Sequence, residues 1–211
     1  MKSPIVRLPP RLIWATVAAV IGAQALSACA PMLVGGAVMT GMMAVDRRTS
    51  GAQIEDQGIE LKAANRIAEV TAGRGHISVT SYNRLVLITG ETASEADRVA
   101  VGQAVRQIEN VRSIVNELAV MQSGSLGSRS SDLVLTSKVK AAFIDADDLQ
   151  ALTIKVVSER GVVHLMGRVT EREANRATQI ARAVGGVKKV VRVFEVVSEA
   201  ELARLQPETK K

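Results

Sequence analysis

Between Gln53 and Ala72, Ile54, Leu61, Ala64 and Ala68 fall near one helical stripe, with Glu55, Asp56, Glu60, Lys62 and Arg66 elsewhere; the spacing predicts an amphipathic helix. Early acids suit its start, and Gly73 with Gly75 suit its stop. The period then changes. Ile77 and Val79 alternate with Ser78 and Thr80 as a half-buried strand, Tyr82-Asn83-Arg84 makes a turn, and Leu85 to Ile88 form a second strand closed by Gly90. Thr92-x-x-Glu95 has the form of a capping box, in which each side chain satisfies an orphan backbone donor at a helix start. Val101, Ala104, Val105 and Ile108 give that helix its apolar stripe, Asn110 stops it, and Val111 to Val120 read as a third strand.

Residues 123–131 are small and polar and read as a linker, after which the pattern recurs. Asp132 is placed to cap a helix carrying Leu135, Val139, Ala142 and Phe143 on one face. Ile154 and Val156 mark a strand, Glu159-Arg160-Gly161 a turn, and Val162 to Met166 a second strand. Gly167 repeats Gly90 at an offset of 77, and Thr170-x-x-Glu173 repeats the capping box at 78. The stripe Ala177, Ile180, Ala181, Val184 repeats the first at 76. Two copies of one α+β unit, each helix-strand-strand-helix-strand with its helices on a small three-stranded sheet, is the economical reading. The expected domains span 53–122 and 132–198, followed by a frayed polar tail over 199–211.

Ahead of the first unit the pattern is of another kind. Lys2, Arg7 and Arg11 precede an uncharged apolar run from Leu12 to Ala25, the layout of a secretory signal peptide over 1–28. The run ends in Leu26-Ser27-Ala28-Cys29, which resembles the lipobox of bacterial lipoproteins. That resemblance implies cleavage before Cys29, a diacylglycerol on its thiol and acylation of the new amino terminus; an ordinary signal peptide with an unmodified thiol is the alternative. Ala30 stands where the family's inner-membrane retention aspartate would be, so the resemblance implies the outer membrane, with the protein facing the periplasm. Two or three acyl chains suffice for stable anchoring. Residues 29–52 are then the lipidated start and tether; Pro31 to Val45 is apolar but broken by three glycines, and lies against lipid or packs on the folded part. Asp46-Arg47-Arg48 is expected to return the chain to water.

Charge separates the two units. Residues 54–122 carry seven basic and nine acidic side chains, whereas 132–198 carry eleven and eight, so an anionic partner should prefer the second unit. Within it, Lys138 and Lys140 share a helix with Leu133 and Val134, which lie off the core stripe; apolar residues between lysines suit a membrane surface, and equally a solvated basic face. Aromatics make up 2% of the chain, which argues against base stacking and a nucleic-acid partner. With Cys29 lipidated, no thiol remains for an internal disulfide.

Candidate chemistry is sparse. His76 and His164 have no partner at metal-ligand spacing and are expected on solvent or strand surfaces. Asp145, Asp147 and Asp148 lack the spacing of a calcium loop and suit a turn. Gly90 and Gly167 read as backbone devices. No nucleophile elbow or phosphate loop is present, so a non-enzyme without a cofactor, beyond the covalent lipid on Cys29, is expected.

The second unit, through Val162-Val-His-Leu-Met-Gly-Arg-Val-Thr-Glu-Arg-Glu-Ala and Val184-Gly-Gly-Val-Lys-Lys-Val, resembles the BON domain. The first matches through Leu87-Ile-Thr-Gly-Glu, Glu95-Ala96 and Val111 to Leu118, but has Glu109-Asn110 where the second has Gly185-Gly186. With the lipobox, the chain resembles dual-BON outer-membrane lipoproteins. The resemblance implies anionic phospholipid binding, placed here on Leu133, Val134, Lys138 and Lys140, together with support of envelope integrity and a presence at division sites. The alternative is a periplasmic adaptor whose units dock proteins of an envelope assembly or cell-wall machine.

Overall fold

The computed structural model describes residues 46–122, 124 and 126–205. The signal peptide, Cys29 and the apolar part of the tether lie outside the described residues. Helix α1 (Ser50–Thr71) leads to strands β1 (His76–Tyr82) and β2 (Leu85–Thr92), helix α2 (Glu95–Arg106), and strands β3 (Ser113–Asn116) and β4 (Ala119–Val120). Helix α3 (Leu126–Ile144) and a 3-10 turn (Ala151–Thr153) lead to β5 (Lys155–Glu159), β6 (Val162–Val169), α4 (Glu171–Ala183), β7 (Lys189–Val196) and α5 (Glu199–Leu205). In each repeat the first two strands are antiparallel and the strand after the second helix runs parallel to the middle one. The third strand of the first repeat is broken between β3 and β4, where Leu118 N–H bonds the Asn116 side chain.

Helix α1 starts three residues before the expected domain boundary, capped by Thr49, whose hydroxyl accepts from Ala52 N–H. Its buried stripe is Ile59, Ala63 and Ile67; Ile54 and Leu61, expected inside, are 70% and 66% exposed. Two phases of the helix carry isoleucine or leucine, and the sheet accepts the one that also brings Asp56 inward. The expected cap at Thr92 is likewise corrected. Thr92 ends β2, and Ser94 caps α2 by accepting from Asp97 N–H, which puts the helix starts at Ser94 and Thr170 and makes the offset 76. The box at Thr170 and Glu173 forms with both bonds. Most of the expected linker is the first part of α3, and Leu202 of α5 buries what was expected to be frayed tail.

Asp132 does not cap a helix. It lies within α3, and its two oxygens accept from Arg160 N–H (2.7 Å) and Gly161 N–H (2.8 Å) in the β5–β6 turn. Asp56 of α1 does the same for Asn83 N–H (2.7 Å) and Arg84 N–H (2.8 Å). Both turns hold two successive residues at positive φ, as a tight two-residue hairpin requires. A helical aspartate thus fastens each hairpin to its helix. Gly90 answers a different need: it pairs with Ile77, and a Cβ there would lie 1.9 Å from the His76 carbonyl oxygen.

Each sheet buries one face under its own helices, around Val86, Ile88, Val101 and Val105 in the first repeat and Val163, Leu165, Ala177 and Ala181 in the second. The opposite faces meet each other. Tyr82, Leu87, Met166 and Val193 form a third core between the sheets, so the layers run helix, sheet, sheet, helix. Polar contacts ring this seam: Asn83 Nδ2 donates to Glu195 (2.6 Å), Lys155 Nζ to Glu60 (3.3 Å), and Arg160 Nη1 to the Gly90 carbonyl (2.9 Å).

The expectation that Asp46-Arg47-Arg48 faces water is overturned. Arg47 is 6% exposed, and its guanidinium bonds both Glu173 oxygens (2.7 and 2.8 Å), Gln150 Oε1 and the Arg168 carbonyl of the second repeat. Arg48 instead joins Asp46 and Asp56 and stacks 4.3 Å over the Tyr82 ring of the first. Consecutive arginines therefore hold opposite halves of the molecule.

Candidate functional site

Helix α3 turns Leu135, Val139 and Phe143 into the core, which leaves its other face to solvent. Leu133 is 71% and Val134 55% exposed, Lys138 and Lys140 are exposed, and the four proposed site residues therefore share an accessible surface. Ile144, 67% exposed and about three turns beyond Leu133, extends the apolar strip and was missed because it falls at the helix end. Apolar residues flanked by ammonium groups can insert among acyl chains while the cations meet phosphates.

The distribution of counter-charges sharpens this surface. Among the described residues, seven of the eleven basic side chains in 132–198 have a carboxylate within 4.0 Å. Lys138, Lys140, Arg182 and Lys188 do not. Lys138 and Lys188 line one cleft, and Lys188 and Arg182 line the next depression, so three of these four cations border two neighbouring depressions. In the first repeat six of seven basic side chains are paired, Arg106 being the exception. Intramolecular pairing leaves a cation less attraction to offer a partner, so more uncompensated positive charge stands on the second repeat.

Other titratable groups serve the fold. Burial by itself would raise Asp56, but bonds from the Ser81 hydroxyl, Arg84 N–H, Arg48 and Asn83 N–H outweigh it and hold the carboxyl below its usual range. Glu173 follows the same balance, with Arg47 and Thr170 N–H overcoming burial. Glu159 is pushed up by burial and by the neighbouring Glu91 and Asp132 carboxylates. His164, expected at a surface, is 2% exposed: it points into the seam, with Nδ1 3.3 Å from the Val157 carbonyl and Nε2 3.9 Å from Glu117, and burial lowers its pKa. His76 is half-buried at the start of β1. Asp148 pairs with Arg176 beside its turn. Among the described residues, no group of three or more His, Cys, Asp or Glu side chains could hold a metal ion, and no helix is long and apolar enough to cross a membrane.

Comparison with known proteins agrees with this architecture. The BON domain model matches residues 55–122 and 131–198. The chain is similar to outer membrane lipoprotein DolP of Haemophilus influenzae, 35% identical over 173 residues that cover 81% of this chain and 89% of that protein. It is 28% identical over 155 residues to the 21 kDa hemolysin of Actinobacillus pleuropneumoniae, covering 72% and 80%. To osmotically-inducible protein Y of Escherichia coli it is 32% identical over 117 residues, covering 54% and 58%.

Proposed function

Because the chain belongs to the BON-domain family, as an outer-membrane lipoprotein of that family, we propose that it is a non-catalytic protein whose second repeat binds anionic phospholipid. Leu133, Val134, Lys138 and Lys140 carry the contact, Cys29 bears the anchoring lipid, and the folded repeats face the periplasm and support envelope integrity, including at division sites. The observation that carries this reading is the gathering of unpaired cations beside exposed aliphatic side chains on α3. Each lysine or arginine near an anionic leaflet contributes about 1 kcal/mol. The contact is weak by itself, but the anchor makes it intramolecular, and a high effective concentration raises its occupancy. The anchor thus supplies residence, and the second repeat supplies lipid choice.

The test is cosedimentation of the fragment from residue 46 onward with phosphatidylglycerol vesicles and with phosphatidylcholine vesicles, at low and physiological salt. Anionic-selective binding that salt weakens, and that Lys138→Glu with Lys140→Glu abolishes, is the expected result. Binding unchanged by the double substitution overturns the site. A second reading, a protein-docking adaptor, is favoured by Ile54 and Leu61, which stand exposed on α1 of the more acidic repeat. Stoichiometric crosslinking to one envelope protein, with no lipid preference, would establish it instead.

A further inference from the structure

At an offset of 76, Lys62 corresponds to Lys138, Glu109 to Gly185 and Arg112 to Lys188. In the first repeat Lys62 Nζ lies 3.7 Å from the Glu109 carboxylate, across a depression of about 340 Å³ between α1 and the loop after α2. Arg112 pairs with Glu195 at 3.5 Å. In the second repeat both counter-charges are gone. Glycine replaces the glutamate, and Lys138 and Lys188 stand unpaired among the described residues and line a cleft of about 770 Å³. Val134 and Lys138 of α3 form one wall; Gly185, Gly186 and Lys188 form the other. Asp132 also lines the cleft, but its two oxygens are engaged by the amides of Arg160 and Gly161.

We propose that this cleft is a headgroup pocket, in which the phosphodiester of an anionic phospholipid enters between α3 and the Gly185–Gly186 loop. Lys138 holds the phosphate from one wall and Lys188 from the other, while the acyl chains stay in the bilayer beside Leu133 and Val134. The proposal rests on the membrane reading above and adds a second structural element to it. Two ammonium groups facing a cleft without a free carboxylate suit a phosphate monoanion, and they repel the quaternary amine of a choline headgroup. The volume is within the range of small-molecule pockets. In the first repeat the corresponding cations, Lys62 and Arg112, already face the Glu109 and Glu195 carboxylates and offer a phosphate less attraction.

The internal comparison supplies the decisive variant. Gly185→Glu restores the carboxylate that the first repeat keeps, and a Cβ at Gly185 meets no atom within 4 Å, so the fold accommodates it. The full chain in phosphocholine-detergent micelles is titrated with phosphatidylglycerol and read by backbone amide shifts. Shifts are expected together on Val134 to Lys140 and on Gly185, Gly186 and Lys188. Gly185→Glu and Lys188→Gln should each weaken binding about fivefold, the equivalent of one surface charge, and Arg106→Gln in the first repeat should not. Shifts confined to α3, with both variants binding like the parent, overturn the pocket and leave the α3 site standing. Absence of shifts on α3 as well removes the membrane reading itself. The same shifts produced by inorganic phosphate at equal concentration overturn the lipid assignment in favour of a free anion.

Discussion

Replacing Arg47 by methionine removes one side chain and isolates another. The Arg47–Glu173 pair is 3% and 5% exposed, and four hydrogen bonds leave the guanidinium: two to Glu173, one to Gln150 and one to the Arg168 carbonyl. Methionine fills much of the same volume, so the dominant effect is a buried carboxylate without its counter-charge. Breaking a buried pair from one side costs about 3–5 kcal/mol, a large part of the 5–15 kcal/mol that holds a typical domain. The pH dependence gives a second, sign-based check. In the parent, Glu173 titrates below its ordinary value, so its contribution is fully present above the unfolded value of 4.5 and is lost as pH falls through the folded value. Without Arg47, burial is opposed only by the Thr170 N–H and the field of Arg172, and the carboxyl rises; its contribution then becomes a penalty at neutral pH that acid relieves. Urea unfolding of the fragment from residue 46 at pH 7 and pH 4.5 measures both. A loss under about 1 kcal/mol at pH 7 with an unchanged pH slope would mean that the pair behaves like an exposed one, and would refute the reasoning.

Asp56→Ala and Asp132→Ala each strand two backbone N–H groups in a hairpin turn and should destabilise by about 2–4 kcal/mol, with hydrogen-exchange protection lost first at Asn83–Arg84 and Arg160–Gly161 respectively. Gly90→Ala should cost about 3 kcal/mol or more, because its Cβ meets the His76 carbonyl oxygen at 1.9 Å; a thermal midpoint within a degree of the parent would contradict that close approach. His164 has a folded pKa below the ordinary 6.5, so its neutral form stabilises the seam above that pH, and stability falls below it as the unfolded chain takes the proton first. Between pH 7.5 and 5.5 this group should steepen acid destabilisation by up to about 1.4 kcal/mol per pH unit, a component that His164→Gln removes in denaturant titrations. Glu117, Lys189 and Arg160 face the same ring, and their fields accompany its burial.

What the sequence made legible was periodic or local. The repeat, the strand alternation, the core faces of α2, α3 and α4, and the capping box at Thr170 follow from spacing alone, and so did the basicity and exposure of Lys138 and Lys140. What it hid depends on partners far away. Arg47 reads as a solvated charge unless Glu173, 126 residues on, is known to receive it. The stripe of α1 had two candidate phases, and only the clamp between Asp56 and a turn 27 residues later selects one. Asp132 looked like a cap because aspartate before an apolar run usually is one. A register of the repeats built on helix starts rather than on threonines would have found both clamps, since Asp56 and Asp132 share the offset of the cores. The Lys188 wall was hidden because a lysine's lack of a counter-charge is a property of its surroundings.

The adjacent arginines at the entrance to the fold also decide how the molecule bears load. A pull arriving along the chain at residue 46 is divided at once, Arg47 passing it to the second repeat and Arg48 to the first. Tension at that point draws on both halves simultaneously, instead of peeling away the one that comes first in sequence. The two repeats are harnessed side by side, not hung in series, and mechanical failure should require both guanidinium clamps to give way.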